Sequence, residues 1–299
     1  MYFWFKLRGM KIAVICPFQN ELSRGYAQGV VEHLLERKVT VLIDFKMVNF
    51  LKDPDMTAFV SVFEDLPKNT DFLFCIGGDG SMLQAIITVK DSNVPILGIN
   101  TGRLGFLTSL QKESLNIGLK QLWENKFTLI DRNLLEVKLP NSSDVIDSFP
   151  YALNEITVSR KNTASLISID TRLNREPLTT YWADGLIIST PTGSTGYSLS
   201  SGGPIMSPQT SSFVLTPIAP HNLNIRPLIV PNSTVIELKV TGRGQDHLLT
   251  LDSRIISLNQ ETKIIIKKAP FSIATVELND NTFFKTLQDK LFWGLDTRN

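Results

Sequence analysis

The 299-residue chain is poor in the residues that build metal centres and disulfide frameworks, with two cysteines and three histidines. Cys16 and Cys75 each sit inside an apolar, strand-like run, where a thiol packs as a small hydrophobe. No Cys/His group has the spacing of a structural zinc site, and His33 and His247 stand alone. An excess of one charge is also missing. Thirty Lys and Arg balance 29 Asp and Glu, for a formal net charge of +1, which points to neither a nucleic-acid nor an anionic-membrane partner. No apolar run is long enough to span a membrane. Residues 1–9, Met-Tyr-Phe-Trp-Phe-Lys-Leu-Arg-Gly, are aromatic but short and lack a signal-peptide cleavage pattern. A clean strand starts at Met10, so these residues read as an extension ahead of a native start there, and the cytoplasm is the expected location.

What is present describes an ordinary globular protein, 42% hydrophobic and 20% charged. The length exceeds the usual single core, so one large or two medium domains are expected. The first part alternates strands with helices. Lys11–Cys16, Val39–Asp44, Phe72–Ile76 and Ile96–Ile99 read as buried strands. Helices are expected at Leu22–Arg37, from Ser81 to about Lys90, and around Leu115–Trp123. Such alternation predicts a parallel, doubly wound sheet, whose ligands bind beyond the carboxyl ends of its strands. That rule puts Gly77–Ser81 and Asn100–Gly105 on one rim.

After about Ile130 the pattern becomes short strands punctuated by turns: Leu134–Leu139, Leu153–Ser159, Leu166–Leu173, Gly185–Ser189, Phe213–Pro217, Val235–Val240, Leu248–Leu251 and Lys263–Lys267. Phe283, Phe284, Leu287, Leu291 and Phe292 then form one helical face, with Gly294 as a C-cap. The expected division is an α/β Rossmann-like domain over 1–130, a β-rich domain over 131–279, and a helix over 280–299 that packs back on the first domain.

Two segments carry chemistry. Gly77-Gly78-Asp79-Gly80-Ser81 follows an apolar strand and opens a helix. Its glycines permit a tight turn whose amides face phosphate, and the helix dipole favours the anion. An aspartate there either takes a task, a metal ion or a proton from an attacking hydroxyl, or simply caps the helix. The second segment, Asp184-Gly-Leu-Ile-Ile-Ser-Thr-Pro-Thr-Gly-Ser-Thr-Gly-Tyr-Ser-Leu-Ser-Ser-Gly-Gly-Pro204, is dense in residues that let backbone and short hydroxyls approach a ligand. Tyr197 offers a ring for stacking on a flat base. Asn154-Glu155 lies in a β-like run, where alternation sends its two side chains to opposite faces.

Together these elements resemble the NAD kinase family, also called ATP-NAD or polyphosphate-NAD kinases. The resemblance rests on Gly77-Gly78-Asp79-Gly80, Asn100–Thr108, Ala152-Leu-Asn-Glu155, Ala183–Pro204, Pro217–His221 with Arg226-Pro-Leu, and Lys290-Leu-Phe-Trp-Gly294. It runs in family order over roughly residues 10–295, and 183–204 is its most specific part. It implies a kinase that phosphorylates the 2′-hydroxyl of the adenosine ribose of NAD, with ATP or another phosphoryl donor and a divalent metal, Mg²⁺ or Mn²⁺. It also implies homo-oligomers, dimers or tetramers, that complete a site between the domains. Asp79 matches the catalytic base and, with Gly80, NAD contacts; Gly77, Gly78 and Gly80 match the phosphate-binding turn. Asn154, Glu155, Asp184 and the run Thr195, Gly196, Tyr197, Ser198, Leu199 and Ser200 match NAD-binding positions. Ser165, Trp182, Thr192 and Arg254 fall where relatives touch the ligand. No protein side chain is assigned as a direct metal ligand. Two departures stand out: Gly196 replaces a usual alanine, and Asp252-Ser253-Arg254 stands where many members have Asp-Gly-Gln. Alternatives are a sugar-phosphate or lipid kinase sharing GGDG, and an NAD(P)-binding sensor without turnover.

Overall fold

The computed structural model describes residues 9–102, 105–110, 114–140, 144–161, 165–242, 246–279 and 282–292. The chain divides into two units, Met1–Asp131 with Ile273–Asn299, and Arg132–Ser272. In the first unit the apolar runs become β1 (Lys11–Ile15), β2 (Thr40–Asp44), β3 (Ser61–Phe63), β4 (Phe72–Ile76) and β5 (Ile96–Ile99). They lie in the order β3-β2-β1-β4-β5, parallel throughout. All five residues of β4 and all four of β5 are buried, which is why these strands read as continuous apolar runs and not as alternation.

Helix α1 (Glu21–Glu36) starts at a reciprocal capping box between Asn20 and Ser23 and buries Ala27, Val30, Val31 and Leu34. Helix α2 (Asp79–Val89) buries Met82, Ala85, Ile86 and Val89, and α3 (Leu115–Trp123) buries Leu119, Leu122 and Trp123. The faces of α1 and α3 join β1, β2, β4 and β5 in one core. The strand order reverses between β1 and β4, so the loop after β4 opens at the point where such sheets receive ligands.

Strand β6 (Phe127–Lys138) continues into the second unit. There follow β7 (Tyr151–Ala152), β8 (Glu155–Arg160), β9 (Ile167–Leu173), β10 (Glu176–Ala183), β11 (Gly185–Ser189), β12 (Ser212–Ile218), β13 (Leu228–Pro231), β14 (Ile236–Gly242), β15 (Asp246–Leu251), β16 (Arg254–Asn259) and β17 (Lys263–Leu278). One antiparallel sheet runs β13-β12-β11-β8-β15-β16, and β10-β9-β14 with the first part of β17 form a second antiparallel set. Alternate residues of both, such as Ile156, Val158, Leu186, Ile188, Leu238 and Ile264, fill a common core.

Four strands absent from the sequence reading, β3, β10, β13 and β16, all lie at sheet edges, and the two-residue β7, also absent, pairs only with β6. Most of β10 is exposed and β16 buries none of its residues, so the apolar alternation that betrays a half-buried strand is missing there.

The far end of β17 returns to the first unit, where Thr275 pairs with Ile96. Helix α4 (Phe283–Leu291) follows and packs on that unit: the Phe283 ring lies 6.3 Å from the Phe106 ring, and Lys290 Nζ sits 5.2 Å above it. The predicted apolar face is only partly covered. Phe283 and Leu287 are half-buried, whereas Phe284 and Phe292 remain 65% and 69% exposed. Phe292, left-handed at φ 51°, caps the helix; Gly294, expected in that role, lies outside the described residues, as do Trp293, Arg103 and Leu104 of the motifs and residues 1–8 of the leader.

Candidate functional site

In the first unit the site grows from the end of β4. Gly77 has φ +140°, and a Cβ there would stand 2.0 Å from Ser81 Oγ, so only glycine makes this turn. Its amide donates to the Ile99 carbonyl at 2.9 Å. Gly77 therefore shapes the loop and does not offer its amide to an anion, unlike the expectation for all three glycines. Gly78 is the N-cap of α2 and supplies no side-chain cap; the Ser81 amide donates to the Gly78 carbonyl (2.9 Å), and the Asp79 and Gly80 amides ahead of it are orphan donors of the first turn. Gly80 is exposed.

Asp79 is the first residue of α2 and not its cap. Its carboxylate instead accepts the backbone N–H groups of Phe106 (2.8 Å) and Leu107 (3.0 Å). A Cβ on Gly105 would fall 1.7 Å from Asp79 Oδ1, so glycine at 105 is what lets the carboxylate approach. The same loop is tied by Thr108 Oγ1, which accepts from Asn100 Nδ2 (3.0 Å) and the Gly105 amide (3.1 Å). The two segments expected on one rim are thus joined through Asp79.

In the second unit the segments around 154 and 190 are stitched together. The Thr190 hydroxyl donates to the Leu153 carbonyl (2.6 Å), the Thr190 amide donates to the Asn154 carbonyl (2.9 Å), and Ser189 Oγ donates to the same carbonyl (3.3 Å). Gly193 packs directly on Asn154: a Cβ there would stand 2.1 Å from the Asn154 carbonyl oxygen. Asn154 lies in a bend ahead of β8 and not within a strand. Alternation therefore does not apply, and the expectation of opposite faces is corrected. A Cβ built on Gly196 would lie 3.3 Å from Glu155 Oε2 and 3.8 Å from Asn154 Nδ2, so both side chains converge on the Gly196 backbone.

Glu155 carries the strongest electrostatic signature. Burial, then the neighbouring Asp252 carboxylate, push it up to about 8, against a hydrogen bond from the Tyr197 amide. Its Oε2 is buried and has no hydrogen-bond partner among the described residues. Burial also raises Asp252, opposed by the amides of Leu153, Asn154 and Glu155 and by Arg254. Arg254 donates from Nη1 and Nη2 to the carbonyls of Phe149 and Tyr151 and lies 5.1 Å over the Phe149 ring. Burial lowers its pKa.

The remaining predicted residues divide. Thr192 is buried and accepts from Arg132 Nη1 (3.2 Å), and Thr195 Oγ1 donates to the Thr192 carbonyl (3.2 Å). Ser198 is buried and its hydroxyl pairs with Thr216 Oγ1 at 2.8 Å, so it holds the turn from inside. Tyr197, 47% exposed, and Ser200, also exposed, face outward, with Leu199 half-buried. Asp184 pairs with Arg160 at 2.9 Å. Trp182 is half exposed beside His221, ring to ring 6.4 Å. Ser165 lines a separate small pocket of about 20 Å³ with Arg160, Lys161 and His247. Three contributors escaped the sequence reading: Thr190, Arg132 and Asp252. Thr190 stood inside the Ser/Thr/Gly run, and Asp252 inside Asp252-Ser253-Arg254, noted only for its departure at 253 and 254; Arg132 had no local pattern to mark it. Among the described residues no group of three His, Cys, Asp or Glu side chains is placed to hold a metal ion, and no helix is long and apolar enough to cross a membrane.

Comparison with known proteins agrees with this arrangement along the whole chain. Residues 12–127 match the ATP-NAD kinase N-terminal domain and residues 153–278 the ATP-NAD kinase C-terminal domain. The NAD kinase of Christiangramia forsetii is 50% identical over 296 residues, covering 97% of this chain and all of the relative. That of Flavobacterium psychrophilum is 47% identical over 294 residues, with the same coverage. Among solved structures, yeast NADH kinase complexed with NADH superposes with a TM-score of 0.83 at 25% identity, over 97% of this chain and 89% of that one. An NAD kinase from Archaeoglobus fulgidus in complex with ATP gives 0.73 at 26% identity, over 95% and 99%. The glycine turn that carries Asp79 falls within the first matched domain and the Asn154–Glu155 cluster within the second, and this chain belongs to the ATP-NAD kinase family.

Proposed function

We propose that the protein is an NAD kinase, transferring the γ-phosphoryl group of ATP to the 2′-hydroxyl of the adenosine ribose of NAD to give NADP. The observation that carries this reading, in a chain of this family, is the convergence of Asn154 and Glu155 on Gly196 with Glu155 Oε2 left without a hydrogen-bond partner among the described residues. A buried polar atom without a partner costs about 1–3 kcal/mol, and a ribose hydroxyl satisfies it. Asn154 adds an amide that both donates and accepts. The exposed Tyr197 ring gives the dinucleotide a stacking surface, and Asp184 and Trp182 extend its contacts.

In the transfer the bond between Pγ and the β–γ bridging oxygen breaks, a bond from the 2′-oxygen to Pγ forms, and the hydroxyl proton goes to Asp79. Two of the four lone-pair sites on the Asp79 carboxylate are used by Phe106 and Leu107, which aim it and leave two for the hydroxyl. Amides at the start of α2, those of its N-cap Gly78 and of Gly80, carry phosphate charge. The divalent cation, Mg²⁺ or Mn²⁺, enters with the ATP phosphates as part of the substrate. The same reading has the enzyme in the cytoplasm as a homo-oligomer, a dimer or tetramer. Calorimetry of NAD on Asn154→Ala tests the assignment: affinity falls by about 1–3 kcal/mol with the melting temperature held. Unchanged affinity removes Asn154 from the site.

A further inference from the structure

The tip of the β15–β16 hairpin, Asp252-Ser253, is tied to the 149–155 segment. Asp252 sits there in the left-handed region at φ 51°. Its carboxylate accepts three consecutive amides, those of Leu153 (2.9 Å), Asn154 (2.8 Å) and Glu155 (3.2 Å). Its own amide donates back to the Glu155 carbonyl at 3.0 Å. Two residues on, Arg254 grips the carbonyls of Phe149 and Tyr151. One hairpin tip therefore holds the 149–155 segment by its donors at one end and its acceptors at the other. A carboxylate is the side chain suited to three amides, because it accepts on both oxygens; asparagine would turn an NH₂ toward one of them. Desolvating that carboxylate beside a second one, Glu155, is unfavourable, and a fold that needed only a turn would not require it.

We infer that Asp252 is a positioning residue for the reaction, fixing through these three amides the backbone geometry in which Asn154 and Glu155 meet the dinucleotide. The inference rests on the NAD kinase reading. The charge of Asp252 has a further consequence. The groups that face Glu155 are Asp252 from the hairpin, with Arg254 behind it, and the Tyr197 amide from the 193–197 turn. Burial and Asp252 together keep Glu155 protonated to about 8, so Glu155 meets NAD as a hydroxyl donor, and removing the Asp252 charge shifts that titration toward acid.

NAD is titrated calorimetrically between pH 6 and 9 into the wild type, Asp252→Asn, Asn154→Ala, Glu155→Gln and the Asp252→Asn/Asn154→Ala double variant, with NADP formation followed alongside. Wild-type affinity is expected to break near pH 8, and Glu155→Gln to lose the break. Asp252→Asn binds roughly 10-fold or more weakly at pH 7, the scale of one buried polar contact, and its break moves to lower pH. The double variant loses less than the product of the single losses, because both act through Asn154. If Asp252→Asn fails to fold, Asp252→Glu, which keeps the charge and displaces the carboxylate, is expected to show the weaker binding while keeping a pH break. Wild-type affinity and an unmoved break in a folded Asp252→Asn, multiplicative losses in the double variant, or wild-type affinity in Asp252→Glu overturn the inference alone. A wild type that neither binds NAD nor forms NADP overturns the function, and the inference with it.

Discussion

A single carboxylate can belong to a fold, to a reaction, or to both, and Asp79 and Glu155 belong to both by different routes. Asp79 orders the loop after β5 through Phe106 and Leu107. Asp79→Asn keeps the shape but gives up basicity and one acceptor, so turnover is expected to drop at least roughly 10²-fold, the usual scale for losing a general base. Wild-type kcat in a folded variant refutes that role. Glu155 is read through stability. Its folded pKa, about 8, lies above the ordinary value of 4.5, so the folded state holds a proton that the unfolded chain has released, and stability falls as pH rises between the two. His247 acts in the opposite sense at lower pH: burial lowers it from 6.5 to about 4, and that contribution is lost as pH falls through this interval. From pH 6.5 to 8 the histidine contribution no longer varies, and the slope that remains comes from Glu155 and its neighbour Asp252, which burial also raises. Urea unfolding there is expected to show a decline approaching about 1.4 kcal/mol per pH unit in the wild type, flattened in Glu155→Gln. Parallel curves for the two proteins contradict the assignment. At this scale Asp79, Asn154 and Glu155 were readable because their neighbours form short local patterns. The hold of Asp252 on the 153–155 amides and the bond from Arg132 to Thr192 were not, because those partners lie about 100 and 60 residues away.

The elements that were easiest to read are those whose two faces are both buried, or whose one buried face is unbroken. Strands β1, β4 and β5 and helix α1 fall in this group. Edge strands β10, β13 and β16 hide because solvent, not packing, meets most of their side chains. The bend at Leu153–Asn154 hides for another reason. Its shape is set by Asp252 from the β15–β16 turn and Thr190 just past β11, so local alternation gives the wrong faces. That bend can be disturbed from the opposite segment. Gly193→Ala would push a Cβ to within 2.1 Å of the Asn154 carbonyl, forcing the two turns apart. The expected result is a KM for NAD raised by about 10-fold or more, on the scale of one lost buried contact, together with a lower melting temperature. An unchanged KM means that the 193–197 turn does not govern the placement of Asn154.

For the whole molecule, the two units bring different chemistry. The parallel sheet presents a glycine turn at the start of a helix, which suits phosphate and a proton acceptor. The β-rich unit presents a Ser/Thr/Gly turn braced against paired polar side chains, which suits a sugar and a base. Neither half alone specifies a reaction: the GGDG turn serves several kinases, and a hydroxyl-lined turn serves many binders. Their occurrence in one chain of the ATP-NAD kinase family narrows the account to phosphorylation of NAD. The most direct measurement is to incubate the purified full-length protein with NAD, ATP and Mg²⁺ and to follow NADP with an NADP-specific dehydrogenase, with Asp79→Asn as the control. The account predicts NADP formed in proportion to ADP by the wild type and at least roughly 10²-fold more slowly by the variant. NAD bound but never converted, or NADP formed equally fast by both proteins, would contradict it.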